Sequence, residues 1–77
     1  MNSSIDRVWA RIKETAQSLA EAGQSITFRR ARVLVEQFIR DELIESPRDE
    51  TLDFFASELV DHVIEYRAAI EAQSEIS

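Results

Sequence analysis

One Gly and one Pro punctuate these 77 residues, and in the stretches they separate, apolar side chains recur at steps of three and four. That spacing follows the turn of an α-helix and not the period-two alternation of a strand. A chain so poor in turn residues lacks the many tight reversals that a sandwich or barrel needs. Three helices are predicted, over about 4–22, 28–45 and 47–72, with frayed ends at about 1–3 and 73–77. The expected fold is all-α, a three-helix bundle in one domain over 1–77, completed by homodimerisation.

In the first helix Ser3 or Ser4 is the cap, Asp6 sits in the first turn where the dipole favours an acid, and Gly23 ends the helix in a left-handed conformation. Ile5, Trp9, Ile12, Ala16 and Leu19 form its apolar seam, with Val8 beside it. Ser25 or Thr27 caps the second helix. There Phe28, Ala31, Leu34, Val35, Phe38, Ile39 and Leu43 spread over about half the circumference, wide enough to touch two neighbours. Glu42 falls inside that arc, and a carboxylate there needs a partner group or a frayed end.

Ser46-Pro47-Arg48-Asp49-Glu50 is the strongest local signal. A Ser cap, Pro at the first helical position and an acid at the third start the third helix, and Pro47 keeps Ser46 out of helical geometry, which implies a short corner. Leu52, Ala56, Leu59, Val63, Tyr66 and Ile70 make its stripe, broadened by Phe55, Val60 and Ile64. This helix spans about 40 Å against about 25–30 Å for the other two. Its end should therefore overhang the bundle and invite a partner.

The chain is 44% hydrophobic and 31% charged, with a net charge of -6, and the charge is unevenly placed. Residues 1–40 hold seven Lys/Arg against four acids, a net +3, while the remainder holds two Arg against eleven acids, a net -9. No Cys and a single His remove disulfides, thiol nucleophiles and Cys-based zinc sites. No Gly-rich loop is available to cradle a phosphate. Glu58, Asp61, His62 and Glu65 are the one acid/base or metal-like grouping, but a dimetal bundle needs a second Glu-x-x-His set on another helix, and none exists. A solvated acidic face with a boundary His is the preferred reading. Neither enzyme activity nor a cofactor is expected. The first thirty residues hold no apolar leader and the chain no stretch near the roughly 18 residues of a membrane span, so a cytoplasmic chain with no membrane partner is expected.

Arg29, Arg30 and Arg32 crowd the first turn of the second helix, where positive charge opposes the dipole by about 0.3–1 kcal/mol each. In an up-down-up bundle, Glu65, Glu71 and Glu75 would come close enough to pair with them. Otherwise they join Arg7, Arg11 and Lys13 in contacting an acidic protein surface or a phosphate backbone. The third helix, with Asp49, Asp53, Glu58, Asp61, Glu65 and Glu71, could itself imitate a phosphate array. Ile44 and Phe54 miss the apolar stripes, flank the Ser46-Pro47 corner and, with Ile70, are the expected self-association residues. The expected function is a small non-catalytic helical protein-protein interaction module, a regulator or adaptor, acting as a homodimer on another protein. The alternatives are a nucleic-acid-associated protein using Arg29 to Arg32, and an acidic inhibitor that mimics nucleic acid.

Overall fold

Apolar periodicity resolves into three helices, α1 (Ser4–Glu21), α2 (Phe28–Leu43) and α3 (Asp49–Ile76), in a computed structural model that describes residues 4–76, with side chains to residue 74. All three pack against one another, and no strand occurs among the described residues. The Ser3 cap and the ends at 1–3 and 77 lie outside those residues. α1 closes as its sequence implies. Gly23 takes φ +71°, its N–H donates to the Ala20 carbonyl, and the Gln24 N–H donates to the Leu19 carbonyl, the paired bonds of a Schellman ending. Thr27 caps α2, its Oγ1 accepting from the Arg30 N–H at 3.2 Å.

The core joins Val8, Ile12 and Ala16 of α1, Ala31, Val35, Phe38 and Ile39 of α2, and Leu52, Phe55, Ala56, Leu59 and Val63 of α3. In α1 the buried row is Val8, Ile12, Ala16 and Ala20; Ile12 and Ala16 belong to the predicted seam and Val8 lies beside it, while Ala20 replaces the seam's outer members. Trp9 and Leu19 flank the core and Ile5 is exposed. Phe28 and Ile64, both predicted to be core, are also exposed. Phe28 opens α2 beyond the reach of α3, and Ile64 points about 140° from Leu59 and about 100° from Val63, off the buried face. Trp9 closes the α1–α3 junction, its ring 4.8 Å from Phe55 and 6.0 Å from Phe54, both edge-on.

The connection after α2 departs most from expectation. α2 stops at Leu43, and Ile44 adopts a left-handed conformation (φ 53°, ψ 41°) with its N–H donating to the Arg40 carbonyl. Residues 44–48 then run back along α2, so that Pro47 and Asp49 line a shallow groove with Arg29, Arg32, Val33 and Glu36. Pro47 therefore belongs to the return and not to the helix. α3 begins two residues later than predicted, with the Arg48 carbonyl accepting the Leu52 N–H and Asp49 and Glu50 in its first turn. At its other end α3 continues to Ile76, one turn past the predicted end.

The extents of the molecule are 45 × 30 × 16 Å. Three aligned helices spaced 8–10 Å apart would measure roughly 15 Å in both short directions, so α3 crosses the α1–α2 hairpin at an angle. Leu52 to Val63 lie under the hairpin, while residues 68–74 are exposed. The predicted overhang is present.

A left-handed conformation at a β-branched residue costs of order 1–3 kcal/mol, and the Ile44 side chain, 89% exposed, recovers almost nothing by burial. Ile44→Gly should therefore raise the unfolding free energy by about 1 kcal/mol in urea denaturation. An unchanged or lower value would show that Ile44 holds the return in a way its exposure does not reveal.

Candidate functional site

Three arginines in the first turns of α2 have different fates. Arg32 reaches the start of α3, where its Nη2 donates to Asp49 Oδ1 at 3.4 Å and its Nε lies 3.2 Å from Asp53 Oδ1. That Nε is sealed from solvent and makes no hydrogen bond, so charge and not alignment holds it to Asp53. Arg29 and Arg30 form no ion pair with any described residue. The pairing expected with Glu65 and Glu71 does not occur, because the returning connection sets the start of α2 beside the start of α3 and not beside its end; the Glu75 side chain lies outside the described residues. Two unpaired cations are thus left on an exposed helical turn.

Between them the surface is apolar. Val33, one turn along, is 63% exposed, and Thr27, Arg29, Arg30, Val33 and Leu34 line one open groove. A second groove, on the α1 side, runs from Arg30 and Leu34 to Thr15, Leu19 and Ile26. The result is an exposed valine bordered by two guanidinium groups.

Arg7 and Arg11, expected to join these arginines, are engaged elsewhere. Arg11 Nη1 donates to Asp41 Oδ2 at 3.1 Å and lies 3.6 Å from Glu42 Oε1, and its guanidinium covers the Phe38 ring at 4.5 Å. Arg7 lies 3.8 Å from Glu42 Oε2. These contacts answer the Glu42 question raised by the sequence: the half-buried carboxylate is met by two cations from the antiparallel neighbour.

α3 carries the opposite surface. His62 stacks on Tyr66 and sits 4.0 Å from Glu58 and 3.6 Å from Glu65. Among the described residues no three His, Asp or Glu side chains are placed to hold a metal ion. Beyond the covered segment, Ile64 is 60% and Ile70 37% exposed, and Ile64, Arg67, Ala68 and Glu71 line a shallow groove. Of the residues expected to self-associate, Ile70 lies on this overhang and Ile44 stands free on the return. Phe54 is 54% exposed but packs edge-on against Trp9 and Phe55. No described helix is long and apolar enough to cross a membrane.

Arg32 and Arg30 should separate in a stability assay. Arg32→Ala removes the link between α2 and the first turns of α3 and should lower stability by about 0.5–1 kcal/mol, less at high salt. Arg30→Ala removes an unpaired cation from the positive end of a dipole and should leave stability unchanged or raise it by a few tenths of a kcal/mol. Equal losses in urea denaturation would contradict this division.

No family model matches this chain, and no curated protein and no solved structure is similar to it.

Proposed function

We propose that this chain is a non-catalytic helical interaction module that works as a homodimer, with the overhang of α3 supplying the contact. The observation that carries this reading is the mismatch between α3 and its cover. The hairpin covers the inner face of α3 from Leu52 as far as Tyr66, yet the helix continues to Ile76, with Ile70 exposed on the projecting end and Ile64 exposed on the outer face just before it. A helical end that packs on nothing draws little stability from its own hydrogen bonds, because isolated short helices are marginal in water. Apolar side chains at such an end favour association, and a chain of this size gains core by it. The regulator or adaptor role fits a surface built of exposed apolar residues and charge.

Light scattering over a concentration series should give about twice the 8.9 kDa chain mass at the upper concentrations. Ile64→Asp together with Ile70→Asp should return the mass to that of the monomer, with the helical circular-dichroism signal retained because neither residue belongs to the core. A wild type that stays monomeric throughout would overturn the proposal.

A further inference from the structure

The proposed dimer leaves open what the overhang packs against, and the distribution of charge answers this. We infer that the outer face of the α3 overhang, around Ile64, Glu65, Ala68 and Glu71, docks on the start of α2 in a second copy, around Arg29, Arg30 and Val33, and that the contact is made reciprocally across a twofold axis. This rests on the homodimer reading and adds the partner surface to it.

Three observations support the assignment. First, two copies of a chain with net charge -6 repel, and pairing α3 with α3 would set Glu58, Asp61, Glu65 and Glu71 against their own counterparts. A positive surface favours this helix, and among the described cations that form no ion pair Arg29 and Arg30 are the adjacent pair, whereas Lys13, Arg48 and Arg67 stand singly along the chain. Second, the two patches have the same build with opposite sign. Val33 is 63% exposed beside two arginines that pair with no described residue, and Ile64 is 60% exposed on a face that also holds Ala68 and Glu71 at helical spacing, with Glu65 at its flank. Glu71 has no ion-pair partner among the described residues. Glu65 faces His62 at 3.6 Å and is otherwise open. Arg67, the cation of the overhang, borders the same groove and partly offsets these acids. Third, the chain does not satisfy either patch internally, because the returning connection places Asp49 and Asp53, and not the far end of α3, beside the α2 arginines. A twofold operation lets each copy satisfy both patches of the other, which closes the assembly at two chains.

The test is a charge exchange. One variant carries Arg29→Glu and Arg30→Glu, the other Glu65→Lys and Glu71→Lys, and solution mass is measured for the wild type, each variant and their equimolar mixture. The wild type should be dimeric. Each variant alone brings like charges together twice, so its dimer dissociation constant should rise at least tenfold and its mass fall to that of the monomer. In the mixture, each arginine site of the second variant meets glutamates of the first, and each new lysine meets a new glutamate. The mixture should therefore recover the dimer mass, which also shows that both variants are folded. Variants that remain dimeric alone would overturn the docking while leaving the homodimer in place, as would a mixture that stays monomeric. A monomeric wild type would overturn both.

Discussion

The reversal of the chain after Leu43 determines where everything else in this molecule lies. Ile44 turns the backbone through the left-handed region, and the irregular residues up to Arg48 carry it back along α2. Without that return, α3 would begin at the end of α2 and run back beside it as a plain antiparallel neighbour. With it, α3 begins beside Arg32, about three turns before α2 ends, and crosses the hairpin. The Arg32 contacts to Asp49 and Asp53 hold the crossing at one edge, and the Trp9, Phe54 and Phe55 rings hold it at the α1 edge.

The crossing also divides the charges. Acids at the start of α3 neutralise Arg32, and acids at the end of α2 neutralise Arg7 and Arg11. Arg29 and Arg30 open α2 at the end away from Asp41 and Glu42 and are reached by neither group, so their charge stays exposed, while the acids along the outer side of α3 face solvent. A helix of 28 residues packed by helices of 18 and 16 must project when it crosses them, and it projects with its isoleucines.

Most of the fold could be read from the residues because it depends on local chemistry. Gly23, Thr27 and the three-and-four spacing of apolar side chains specify helix ends and buried faces within a few residues of themselves. The overhang of α3 followed from length alone. What the sequence did not reveal was the path of residues 44–48. A Ser-Pro pair followed by acids fits a helix start at Pro47 as well as an extended approach to one at Asp49, and the choice is made by packing of Pro47 against α2. The expected pairing of the α2 arginines with the far end of α3 failed for that same reason. The exposure of Ile64 and Phe28 was misjudged because a broad apolar arc does not show where its cover stops.

The central claim is that the far end of α3 is covered only when two chains meet. Amide hydrogen exchange along α3, measured at low and high protein concentration, addresses it most directly. Amides of residues 52–63 should be protected at both concentrations, and those of residues 68–74 should exchange fast in dilute solution and gain protection as concentration rises. Fast exchange of residues 68–74 that is independent of concentration would contradict the account.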